Sequence, residues 1–421
     1  MDNRTMEKVK TSLVKLDGRN FLIPFILVTS LFFLWGFAHS LLDVLNKHFQ
    51  DILGITKARS GWIQAALYGG YFLMGIPAGL FMKRFGYRKG IIFGLLLYAF
   101  GAFLFLPATY IQTFEFTLLC LFIIACGLTC LETAANPYTT VLGPKHSAAQ
   151  RINLSQSFNG LGWMVGPTIG GILILGNTSS GVDGNKFSSM ALPYMIIGSF
   201  VLLVAFLFIM TKLPEINEEE AEHREPGEIT RPFWKQRHFV FAVIAQFFYV
   251  AAQTGVNSFF INYVTETMPQ FTPEKAAYLL SLGFFFFWLG RVSGSVIMKW
   301  IKPNRMIAVY AFVNVLTMCL VVANLGWISL IALFLTYFCM SIMFPTIFAL
   351  GIKGLGAQTK QASSYLVMAI VGGAVCPVFM GYIADISGME IGFLVPMACF
   401  VIIFLFGWRG YKIRKHLQQA V

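Results

Sequence analysis

Apolar runs of about twenty residues, separated by short polar stretches, recur along the whole chain. A helix needs about 20 apolar residues to cross the hydrocarbon core of a bilayer. Reading for such runs predicts twelve spans: roughly 21–45, 61–82, 89–109, 115–142, 152–176, 191–211, 239–264, 276–298, 304–323, 326–351, 362–385 and 389–408. The one long polar stretch, 212–238, carries Glu215, Glu218, Glu219, Glu220, Glu222, Glu225 and Glu228 and separates six spans from six. It reads as a solvated linker between an N-terminal half (21–211) and a C-terminal half (239–408), with polar ends at 1–20 and 409–421. The pattern therefore predicts an all-α polytopic membrane protein.

The two halves echo one another. Gly75-x3-Gly79 followed by Met82 in the second span answers Gly290-x3-Gly294 followed by Met298 in the eighth. Gly166-Pro167 with Gly170 and Gly171 answers Cys376-Pro377 with Gly381, and Leu142-Gly143 answers Leu350-Gly351. The offsets fall within 208–216 residues, which predicts two pseudo-symmetric six-helix units. Small-x3-small spacing also serves close helix packing, whatever the function.

Composition supports the membrane reading. Of 421 residues, 57% are hydrophobic and only 12% charged, against about 25% charged in a soluble domain. The net charge of +12 is spread over short loops and forms no nucleic-acid patch. With both termini on the cytoplasmic side, all Lys and Arg fall on inner segments except Lys47, Lys57, Arg59, Lys186, Lys275 and, within a span, Arg291. That bias favours cytoplasmic termini. The seven cysteines lie in apolar runs without metal-ligand spacing and read as reduced packing residues. The first span is followed by many more and reads as retained, with no signal peptide.

Two acids stand inside spans, Glu132 in the fourth and Asp43 in the first. A charge in hydrocarbon is costly, so each is a candidate for proton or cation handling. Asp43 is expected nearer outside water and Glu132 at or just inside the midplane. Glu132 and Asn136 are four residues apart; Gln156 and Asn159 share a face of the fifth span. Gln246, Tyr249, Gln253 and Asn257 form one stripe of the seventh. Amides and ring hydroxyls match the vicinal hydroxyls of a sugar, which both donate and accept. The same groups can instead bond helix to helix. Arg291 is a candidate gate or cavity charge, and His39 lies one turn before Asp43.

The loop GLFMKRFGYRK (79–89) resembles the inner-loop motif of the major facilitator superfamily, departing at Lys83, where many members carry Asp. More specific are SLFFLWGF-x5-Asp43, LETAANPY-x3-LG with RINLSQSFNGLG (151–162), and FPTIFALGIKGLG-x10-VMAIVGGAVCP (344–377). These resemble the fucose permease family of sugar–proton symporters over roughly residues 20–410. The resemblance implies the twelve-helix facilitator fold and places the family's acids at Asp43 and Glu132 and its helix 5 amides at Gln156 and Asn159. It departs at Leu42, where members commonly carry Asn.

The expected function is import of a monosaccharide, L-fucose first, with a proton by alternating access. Open alternatives are a glucose, galactose or related hexose substrate, sodium coupling, and a uniporter. No His-Glu-x2-His or clustered Cys/His set is present, so the chain reads as no enzyme, without metal or cofactor beyond the coupling proton. It is expected as a monomer in a plasma membrane, on this reading a bacterial inner membrane.

Overall fold

A computed structural model of the chain describes residues 14–16, 19–143, 148–175, 188–211, 232–298, 300–353, 355 and 359–412. The acidic run of the linker, Lys186 and the end of the tail (413–421) lie outside the described residues. A two-residue hairpin, Lys15–Leu16 (β1) against Arg19–Asn20 (β2), precedes the first span.

Among the described residues, twelve helices are long and apolar enough to cross a membrane. The first six are α1 (Leu22–Leu53), α2 (Lys57–Met82), α3 (Tyr87–Ile111), α4 (Phe114–Asn136), α5 (Leu154–Leu175) and α6 (Ala191–Met210). The second six are α7 (Arg237–Thr267), α8 (Pro273–Gly294), α9 (Pro303–Val322), α10 (Trp327–Ile352), α11 (Tyr365–Ser387) and α12 (Met389–Gly410). The run pattern anticipated all twelve but stopped α1 at 45. The helix continues through a polar turn closed by the Lys47–Asp51 ion pair (2.8 Å, i,i+4), which an apolar-run criterion does not see.

Internal breaks also escaped the run pattern. Helix α10 is interrupted between Met340 and Met343. Pro345 lacks the N–H that would bond the Ser341 carbonyl, and its ring crowds that carbonyl. In α11 a 3-10 turn occupies Ala369–Val371.

The packing repeats between halves. In the first half α1 packs on α5, α2 and α3 on α4, and α3 on α6; in the second α7 packs on α11, α8 and α9 on α10, and α9 on α12. Across the halves α2 meets α11, α5 meets α8, and α1 meets α7 at the centre. Two glycines set the α1–α5 approach. A Cβ on Gly36 would meet Asn159 Nδ2 at 2.9 Å, and one on Gly162 would meet Phe37 N at 2.7 Å. The outer helices present Leu203, Phe206, Val309 and Phe312 outward, as lipid contact requires.

Candidate functional site

An even number of crossings puts the start of α1 and the end of α12 on one face, termed here the near face. The far face is sealed between the halves. Both Asp385 carboxylate oxygens of α11 accept backbone N–H groups at the start of α2, from Lys57 and Ala58, each at 2.9 Å. An anion on a helix N-terminus is favoured by the unpaired amides and the dipole there. Lys57 Nζ also pairs with Glu266 of α7 at 3.0 Å. Deeper in the seal, Asn46 donates to the Ser258 carbonyl (2.6 Å) and Asn262 donates to Gln50. Deeper still, Asp43 Oδ1 accepts from Gln64 Nε2 at 2.9 Å and Ser258 Oγ at 3.5 Å.

The near half of the bundle holds a cavity of about 550 Å³ between α2, α4 and α11. That volume is in the range of small-molecule pockets. Its polar wall is α4, with Thr129, Glu132, Thr133 and Asn136; the remaining wall is α2, with Tyr71, Gly75 and Gly79 among its residues, and an apolar stretch of α11. Glu132 is the single carboxylate in this wall among the described residues. Tyr71 faces Glu132 in this wall, and its hydroxyl lies 3.0 Å from His39 Nε2.

The two candidate acids thus have different surroundings. Glu132 borders the cavity. Asp43, expected near outside water, is 2% exposed because the far face has closed over it. Between them runs a stripe of α2 that the sequence reading passed over: Gln64 on Asp43, Tyr68 accepting from Thr254 of α7 (3.2 Å), and Tyr71 on Glu132. Its 64, 68, 71, 75 spacing is a helical face, so the signal was present in the sequence.

The candidate amides divide. Asn136 reaches the cavity but donates to the Glu132 backbone carbonyl (3.1 Å), leaving its own Oδ1 unpaired. Gln156 and Gln253 are half-buried. Gln246 is fully buried with neither amide atom paired, and Asn257 is buried with Oδ1 unpaired. None of these last four is in the cavity wall as it stands.

Three other candidates have structural partners. Asn159 Nδ2 donates to the Phe32 carbonyl of α1 (3.0 Å). The Tyr249 hydroxyl donates to the Met340 carbonyl (3.1 Å), and Arg291 Nε donates to the Ser341 carbonyl (3.3 Å) with its guanidinium 4.9 Å above the Phe287 ring. Both carbonyls lie at the α10 break, so the break supplies acceptors for α7 and α8. Trp288 packs on Gly160 of α5, and Phe284 lies 5.0 Å from Trp163.

This division predicts different phenotypes. Asn159→Ala leaves the Phe32 carbonyl without that donor and is expected to lower stability by about 1–3 kcal/mol, read as a lower melting temperature of purified protein. Asn136→Ala is expected to weaken sugar binding about five-fold or more with little change in melting, since Asn136 faces the cavity. The converse pattern would reverse the two assignments.

A family model described as Major Facilitator Superfamily matches residues 26–370. The chain is 42% identical over 410 residues to the L-fucose-proton symporter of Escherichia coli (strain K12), covering 93% of each protein. The chain belongs to the fucose permease family of the major facilitator superfamily. Another relative, the glucose/galactose transporter of Brucella abortus biovar 1 (strain 9-941), is 36% identical over 390 residues, 91% of this chain and 93% of that protein. The crystal structure of the transporter FucP in the outward conformation matches with a TM-score of 0.67 at 41% identity, covering 93% of this chain and 99% of that one. In this facilitator fold the cavity lies between the two six-helix halves, as repeat transporters place their substrate. The protein is an integral membrane protein.

Proposed function

We propose that this facilitator imports a monosaccharide, L-fucose first, together with a proton. The observation that carries the reading is Glu132, a carboxylate in the wall of a sugar-sized cavity inside an apolar bundle. The distribution of Lys and Arg supports a cytoplasmic near face. On that orientation both termini are cytoplasmic, the far face is outer, and the structure represents the inward-facing state. A modest TM-score to an outward-conformation relative, despite 41% identity, supports a different arrangement of the halves. The membrane is a plasma membrane, bacterial inner membrane in this reading, and the working unit is a monomer that needs no cofactor beyond the proton.

The driving force is sufficient. One proton carries ~2.3 kcal/mol per 100 mV and ~1.4 kcal/mol per pH unit. At ~100 mV and ~1 unit, accumulation approaches several hundredfold. A second reading, a glucose or galactose substrate, is supported by the Brucella relative, and Leu42 in place of the family's Asn bears on which sugar is taken.

The test is uptake into proteoliposomes with a panel of competing monosaccharides. L-fucose is expected to compete best and collapse of the proton gradient to stop accumulation. Better competition by glucose or galactose would favour the second reading. Dependence on sodium would replace the coupling ion, and counterflow without accumulation would make the protein a uniporter.

A further inference from the structure

Tyr71 lines the cavity beside Glu132, and its surroundings are specific. Its hydroxyl lies 3.0 Å from His39 Nε2 of α1, and its side chain faces Glu132 of α4 in the cavity wall, so three helices meet there. The imidazole is buried against aromatic rings, with Tyr71 at 5.4 Å, Tyr68 at 5.9 Å and Trp163 of α5 at 5.6 Å between centroids. The other titratable groups facing this cluster are Tyr98 of α3 and Asp43, and Asp43 is held by Gln64 and Ser258 on the far side.

A phenol carries one proton to donate and lone pairs to accept, whereas an ionised carboxylate only accepts. With Glu132 ionised, a hydrogen-bonded chain through the three groups can run in one order only: His39 Nε2–H donates to the Tyr71 oxygen, and Tyr71 O–H donates to Glu132. When a proton adds to Glu132, the carboxyl gains its own O–H and no longer requires that donor. No other covalent bond changes; the Tyr71 hydroxyl is only released from its obligatory direction.

We propose that Tyr71 is the positioning residue of the coupling carboxylate, holding Glu132 at the cavity wall through a His39–Tyr71–Glu132 chain and setting the pH range over which it loads. The inference rests on the reading of Glu132 as the proton carrier. It differs from a packing role because it assigns the effect to one hydroxyl.

The experiment is sugar affinity and proton-driven uptake across external pH for Tyr71→Phe. Removing the donor to the ionised carboxylate is expected to move the half-maximal pH of uptake upward by about one unit, tenfold in proton affinity, while exchange of labelled sugar slows only a few-fold. His39→Gln, which keeps a donor, is expected to stay near the wild-type profile, and His39→Phe to follow Tyr71→Phe. In a Glu132→Gln background Tyr71→Phe is expected to add no pH effect, the non-additivity of a coupled pair. A wild-type profile for Tyr71→Phe, or an equal shift without Glu132, would overturn the proposal. If Tyr71→Phe fails to reach the membrane, the contrast between the two His39 variants decides it. Absence of proton-driven uptake in the wild-type protein would instead overturn the transport reading itself.

Discussion

Replacing Glu132 by glutamine is expected to abolish uphill accumulation of sugar while some exchange of labelled sugar persists. Glutamine keeps the size of the side chain and most of its hydrogen-bonding capacity, but it cannot take up or release a proton. Coupling should therefore fail before binding does. With an imposed gradient of ~100 mV and ~1 pH unit, wild-type accumulation of several hundredfold is expected to fall to a ratio near one in the variant. The location of Glu132 makes the prediction specific. It borders the cavity among Thr129, Thr133 and Asn136, whereas Asp43 is sealed among Gln64 and Ser258 in this state. Uphill uptake at the wild-type ratio in liposomes containing Glu132→Gln would remove Glu132 from the coupling role.

Much of this architecture is legible in the sequence because a bilayer imposes a coarse rule. Twenty apolar residues make a span, and the paired prolines Pro167 and Pro377 with the repeated Gly-x3-Gly expose the duplicated half. Helix ends are less legible. The turn that carries Lys47 and Asp51 leaves the apolar run but stays helical. Partners across the molecule are not legible at all. The stripe on α7 was read as one set, yet Tyr249 bonds the Met340 carbonyl while Gln246 stays unpaired. That division depends on the α10 break near Pro345, which is remote in sequence. The repeated glycines also diverge. Gly290 and Gly294 allow α8 to press on Ser341 and Ile342 of α10, while Gly75 and Gly79 face the cavity with open space. The sequence repeats a motif, but one conformational state uses its two copies differently.

Substituting valine for Gly61 or Gly381 is expected to hold the far face open and arrest transport. These glycines lie where α2 and α11 cross beside the Asp385 contacts. A Cβ on Gly61 would stand 2.7 Å from Val378 N and 2.8 Å from Pro377 C, and one on Gly381 would stand 2.6 Å from Lys57 C. These are backbone atoms, so no side-chain rotation can relieve the clash. The helices would have to separate, which would also pull Lys57 and Ala58 away from Asp385. Overpacking of this kind costs about 1–3 kcal/mol, so the closed-to-open ratio should fall about five- to 150-fold. The readout is labelling of Ser258→Cys by an impermeant thiol reagent from the far side, in a protein without its native cysteines. Ser258 is fully buried in the closed state and should become reactive when Gly61 or Gly381 is replaced. Gly69→Val is the control on the same helix, since a Cβ there meets nothing within 4 Å, and transport should stay within about twofold. Wild-type transport with Ser258→Cys still protected in the Gly61→Val protein would show that the cycle does not require this close approach of α2 and α11.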